Sequence, residues 1–141
     1  MRMLRSILAG AALTLSACLC HAELVVVVPA KSPVNALSEN EVADIFLGRT
    51  SQVPGGGTVV PIDLADDAAR RGKFYQIVCG KSPAQLRAYW SKLVFTGSGQ
   101  PPREVADVEA LKKLIAGGTN AIAYIDSGQL DASIKAVLTL H

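Results

Sequence analysis

Histidine is nearly missing from this sequence: the two present are His21 and His141. A serine or cysteine nucleophile needs a positioned base, most often histidine, and zinc sites need clustered histidine and cysteine ligands. Neither set can be assembled, because His21 sits in a segment with the layout of a leader and His141 stands alone. Cysteine is as scarce. Of Cys18, Cys20 and Cys79, the first two share that leader, so cleavage behind it leaves one thiol and no intramolecular disulfide. Cys79 falls within the apolar helical pattern of Phe74, Ile77 and Val78, which favours a buried structural thiol over a reactive one. A membrane-spanning run is lacking too. The apolar stretch from Ile7 to Cys20 is shorter than the ~20 residues a span requires, and no later stretch approaches it.

What the amino end does have is a pattern for export. Arg2 and Arg5 precede the apolar run, which closes in Cys20-His21-Ala22, the arrangement of a secretory signal over residues 1–22. Leu15-Ser16-Ala17-Cys18 forms a second processing pattern, that of a bacterial lipobox in which Cys18 is lipidated. Cleavage after Ala22 is favoured, because a strand begins at Glu23 or Leu24 and a lipidated Cys18 would leave only a short tether; the lipoprotein alternative stays open. Removing 22 of the 141 residues leaves 119, the size of one domain, residues 23–141. Arg2 and Arg5 leave with the signal, so 12 basic residues face 12 acidic ones. That zero balance points to neither nucleic acid nor an anionic membrane surface.

Along the mature chain, Leu24 to Val28 is a continuous β-branched run stopped by Pro29, as expected of a strand buried on both faces in a parallel sheet. Ser38 and Glu41 have the spacing of a capping box for a helix that runs to about Leu47 and stops at Gly48, with Val42, Ile45 and Phe46 as its core face. Thr58 to Leu64 reads as a second strand, residues 68 to 78 as a helix ended by Gly80, and Ser82-Pro83 as the start of another. A helix over roughly Val105 to Ala116, a strand from Ala121 to Ile125 and an edge-like strand from Ile134 to Leu140 complete the order β-α-β-α-α-α-β-β.

Four segments carry polar chemistry. Asp63, Asp66 and Asp67 cluster at a strand end, where acids suit the free N–H groups and dipole of the following helix. Gly55-Gly56-Gly57 is followed by a strand and not by a lysine and hydroxyl opening a helix, so it reads as a tight connector and not a phosphate loop. Tyr89 and Trp90 lie on an amphipathic helix and read as core anchors. The loop Thr96-Gly97-Ser98-Gly99, with Arg103 beyond it, can turn backbone N–H groups toward an oxyanion, although an ordinary interhelical loop has the same composition.

Asp44-Ile45-Phe46-Leu47-Gly48-Arg49, the strand Val59-Val60-Pro61-Ile62-Asp63, the Phe74-Tyr75 helix and Asn120-Ala121-Ile122-Ala123-Tyr124 follow one another in a familiar order. Over nearly all of residues 24–126 the chain resembles the second lobe of a type 2 periplasmic solute-binding protein of the phosphate class. The resemblance implies an α/β fold: a single periplasmic-binding-protein type 2 lobe, its mostly parallel or mixed sheet flanked by helices. It also implies a periplasmic, non-enzymatic protein without a cofactor, a phosphate-like oxyanion as ligand, and an envelope membrane protein such as an ABC transporter as partner.

The resemblance fails at the family's anion centre, where an arginine, an acid and a Ser-Gly-Thr step open a helix onto the ligand. Here that segment reads Asp63-Leu64-Ala65-Asp66-Asp67-Ala68-Ala69-Arg70, so an incoming phosphate meets carboxylates. Val53 stands near the place of a family tryptophan, and 119 residues do not hold both halves of a closing clamp. Three readings follow. The first is weak binding of a small oxyanion by Ser32, Asn35, Arg70, Thr96, Gly97, Ser98, Gly99 and Arg103. The second is a ligand-free interaction or sensor-accessory module on the same fold. The third, an enzyme working through Asp63, Asp66 and Asp67, has the poorest inventory of general bases.

Overall fold

The computed structural model describes residues 23–141. The signal and its alternative processing points at Ala22 and Cys18 lie outside the described residues.

β1 (Leu24–Pro29) is the interior strand on which the fold is organised, with five successive buried residues. It is followed by α1 (Glu39–Phe46), a small hairpin of β2 (Gln52–Val53) and β3 (Gly57–Thr58), and β4 (Val60–Leu64). Then come α2 (Ala68–Cys79), α3 (Pro83–Phe95), β5 (Arg103–Val105), α4 (Val108–Ala116), β6 (Ala121–Asp126), a 3-10 turn over Ser127–Gln129 and β7 (Ile134–Leu140). The main sheet has the order β5-β4-β6-β1-β7. No helix among the described residues is long and apolar enough to cross a membrane.

The sheet is mixed. β4 runs parallel to β5 and β6, but β1 runs antiparallel to both of its neighbours, with Leu24 opposite Asp126 of β6 and Leu140 of β7. This corrects the expectation of a parallel setting for β1. Its continuous apolar run reflects burial on both faces, which follows from helices on either side of the sheet and not from strand direction. Alternation of side chains sends Val26 and Val28 to one face, against α1, α2 and α3, and Val25 and Val27 to the other, against α4. Burying each such valine contributes about 1.5–3 kcal/mol.

Local signals set the element ends. Ser38 Oγ accepts the Glu41 N–H at 3.2 Å and the Glu41 carboxylate accepts the Ser38 N–H at 2.8 Å, the reciprocal capping box of α1. The triple glycine is a connector in the β2–β3 hairpin: a Cβ on Gly56 would lie 2.3 Å from Val34 and 2.5 Å from Val53, so only glycine fits between them. The strand expected over Thr58 to Leu64 divides, with Thr58 in the hairpin and β4 beginning at Val60. Pro61 is tolerated in β4 because β5 starts only opposite Ile62, leaving no second partner for its missing N–H. The helix expected from Val105 starts later: Arg103–Val105 joins the sheet as β5, and Asp107 caps α4 through the Ala110 N–H at 2.9 Å. A three-residue edge strand is too short to show a period in sequence. β7 closes the opposite edge, partly blunted where the Leu37 N–H donates to the Val137 carbonyl at 3.0 Å.

Candidate functional site

Polar chemistry concentrates at the carboxyl ends of β4 and β6. Asp63 is placed between Ile62 and Leu64, so strand alternation turns it toward the same face as Tyr75 and Tyr124, where it is 3% exposed. Its carboxylate accepts the Tyr124 hydroxyl at 2.8 Å, the Tyr75 hydroxyl at 2.9 and 3.1 Å, and the Arg71 Nε–H at 3.3 Å. Burial raises the Asp63 carboxyl above its ordinary value, opposed by the bonds from Tyr124 and Tyr75 and by the charge of Arg71. Burial, and then the Asp63 charge, push both phenols far above theirs, so they act here only as donors. Behind them Phe74 stacks on Tyr124 with ring centroids 3.9 Å apart.

One residue earlier on α2 the surroundings change. Arg70 is 7% exposed and donates to Asp66 at 2.5 Å and to Asp126 at 3.3 Å; its Nε–H is buried without an acceptor among the described residues. Asp67 caps α2 by accepting the Arg70 N–H at 2.9 Å. The amino end of α2, where the family resemblance puts an anion, is therefore occupied by carboxylates of the chain itself.

The other sequence candidates lie elsewhere. Thr96, Gly97 and Ser98 close α3: the Gly97 N–H donates to the Val94 carbonyl at 3.2 Å and the Ser98 N–H to Leu93 at 2.8 Å, with Gly97 at φ +70°. This is a Schellman motif, and it consumes the Gly97 and Ser98 N–H groups, two of the backbone donors expected to face an oxyanion. The Thr96 hydroxyl bonds the Lys92 carbonyl and the Ser98 hydroxyl, and the carbonyl end of a helix disfavours an anion. Gly99 packs near Leu93 and Trp90, and Arg103 is an exposed residue at the start of β5.

Ser32 and Asn35 are brought together with Lys135, whose Nζ donates to the Ser32 carbonyl at 2.6 Å and to Asn35 Oδ1 at 3.0 Å. Leu24 pairs with Asp126 and Pro29 with Ile134, so this loop and the Arg70 cluster sit at opposite ends of β1. At ~3.3 Å per residue that is roughly 17 Å, and the eight candidates do not form one site. A cleft of about 580 Å³ opens beside Ser32, Asn120 and Ser133, but their side chains already bond within the protein.

Sequence reasoning missed Tyr75, Tyr124, Arg71 and Asp126 as partners of these acids. An aspartate inside the apolar strand Val-Pro-Ile-Asp-Leu was the available signal, since a buried acid must find donors. Cys79 is half-buried and free, and burial pushes its thiol up to about 11, which keeps it protonated and unreactive at neutral pH.

The layered helices and the mixed sheet order define a class, the fold of periplasmic substrate-binding proteins. No family model and no curated protein matches the sequence. Among solved structures, the chain is similar to a candidate phosphate ABC transporter substrate-binding protein with bound phosphate from Clostridium perfringens, at 23% identity and a TM-score of 0.61. It is also similar to an ABC-type phosphate transport receptor from Vibrio cholerae, at 20% identity and a TM-score of 0.63. Each likeness covers 82% of this chain but only 44% and 45% of the respective solved chain, so the chain spans less than half the length of the structures it matches. At these identities the likeness is one of fold.

Proposed function

We propose that this chain is a secreted, periplasmic substrate-binding-like protein of phosphate ABC transport, not an enzyme, and that it docks its lobe on an envelope partner without capturing phosphate at α2. The observation that carries this reading is the filled amino end of α2: Asp67 takes the cap, and Asp66 and Asp126 hold Arg70. Phosphate entering there has to displace two carboxylates and lie beside them. Each charge-assisted bond given up costs about 1.5 kcal/mol, the low end of its range because both carboxylates are more than a third exposed. Export rests on the leader pattern of residues 1–22, with lipidation at Cys18 as the alternative.

A second reading, weak oxyanion binding at the same place, is favoured by the buried Nε–H of Arg70, which has no acceptor among the described residues. Calorimetry with phosphate separates the two. The docking reading expects no heat of binding for affinities tighter than about 1 mM, together with co-purification with the membrane components of a phosphate ABC transporter. Micromolar binding that Arg70→Gln abolishes would replace it with the second.

A further inference from the structure

Arg71 enters a different environment from Arg70. Its Nε–H is held by Asp63 and its guanidinium carbon lies 5.0 Å from the centre of the Tyr75 ring, which fixes one edge and one face of the group. The terminal nitrogens have no acceptor among the described residues, and the side chain is 35% exposed in a cleft of about 420 Å³ between α2 and α3. Arg87, exposed and without an acidic partner among the described residues, lines the same cleft with Ser91. Leu86, Trp90 and Pro101 supply its apolar wall. Trp90 is 7% exposed, and its indole N–H is buried with no acceptor among the described residues. No carboxylate among the described residues lines the cleft, and it opens over the first turns of α3, the positive end of that helix.

The geometry points to this cleft as a binding site for a small organic anion. Its oxyanion head, phosphoryl or carboxylate, sits between Arg71 and Arg87, and a short apolar body lies on Leu86, Trp90 and Pro101. Three features select that class. Two guanidinium groups with free forked donors match an oxyanion. A volume within the roughly 300–1,000 Å³ range of small-molecule sites is larger than a bare phosphate fills. An apolar wall left wet by inorganic phosphate is covered by an alkyl group. The buried Asp63 network has a role in this: it orders Arg71 before the ligand arrives, which lowers the entropic cost of binding. The assignment does not depend on the docking reading, and either can fail without the other.

Trp90 is the single tryptophan of the chain, so its emission reports on the cleft it lines without interference from another indole. The full-length protein is titrated with n-butyl phosphate and n-butyrate, with inorganic phosphate and n-butanol alongside. The expected result is a saturable change with one or both butyl anions, much weaker binding of inorganic phosphate and none of n-butanol. Arg87→Gln and Arg71→Gln each weaken that affinity at least about tenfold, while Lys113→Gln on α4 leaves it unchanged. Arg71→Gln unpairs a buried acid and can fail to fold. Arg87 is exposed and unpaired, so its variant carries the test, with a circular-dichroism melt to verify folding. No saturable change with either butyl anion up to about 10 mM overturns the site, as does binding undiminished by Arg87→Gln. Inorganic phosphate binding as tightly as butyl phosphate overturns the organic class.

Discussion

Arg70 and Arg71 are consecutive, yet the regions they enter differ in almost every electrostatic respect. A helix turns ~100° per residue, so Arg70 is carried toward Asp66 and Asp126 at the end of the sheet, and Arg71 toward Asp63 and the α3 cleft. Arg70 is buried but its charge is matched by carboxylates that are themselves half-exposed. Arg71 is half-exposed but anchored by an acid that is buried. Burial of the anchor, more than of the arginine, decides which guanidinium keeps donors free for a partner.

Removing the anchor should give the largest effect. Asp63→Asn leaves one acceptor oxygen where the carboxyl has two, and turns an N–H group toward the donors of Tyr75, Tyr124 and Arg71. The expected loss is about 2 kcal/mol in urea unfolding, the cost of leaving buried polar groups without their partners. Its pH dependence has a definite sign. The folded carboxyl of Asp63 is raised, so its stabilising contribution is complete below about pH 4 and falls as pH rises through the folded value. The gap between wild type and Asp63→Asn therefore narrows from acid toward neutral pH. A gap that widens would mean that the charged acid, not the protonated one, is the better-held form.

The Arg70 side is broken in the opposite direction, by releasing the arginine. Asp66→Asn with Asp126→Asn removes both competitors and the repulsion they present to an anion. Phosphate affinity measured by calorimetry should rise by roughly tenfold or more, about 1.4 kcal/mol. If affinity does not rise, Arg70 is a structural ion only.

Gly97 tests the loop that looked like an anion nest in sequence. Its φ of +70° makes Gly97→Ala cost about 1 kcal/mol of stability, and because its N–H already closes α3, the phosphate response of the protein should not change. A selective loss of anion binding in a stably folded Gly97→Ala would restore the loop as a site.

Much of the scaffold was legible because its signals are local. The Ser38–Glu41 box, Ser82 and Pro83 at the start of α3, Asp67 at the start of α2 and the buried runs of β1 and β6 are fixed by neighbours a few residues away. The direction of β1 was not, since both antiparallel partners come from beyond residue 120 and an apolar run is the same in either setting. The candidate site was less legible still. Gly-Ser-Gly has the same composition whether its N–H groups face a ligand or the last turn of a helix. The bonds of Asp63 reach Tyr75 and Tyr124, 12 and 61 residues away. Whether an arginine is free or held depends on such distant partners.

The smallest effect belongs to a pair far from both arginines. Asp131 accepts Lys112 Nζ at 2.8 Å and the Ser133 N–H at 2.8 Å, ahead of β7, and those bonds lower its carboxyl to about 2. A depressed value means that its contribution is present above the ordinary carboxylate range and fades as pH falls toward 2. Lys112→Gln removes the largest cause, so the Asp131 resonance followed by carbon-detected NMR should titrate at a higher pH, short of the ordinary value because the Ser133 bonds remain. Asp131 is exposed and solvent screens its half of the pair, so the pair has little weight in global stability and the melting temperature should move by no more than the measurement error. A large loss of stability would mean that the Asp131 turn, and not the buried register of β7 against β1, holds the last strand in place.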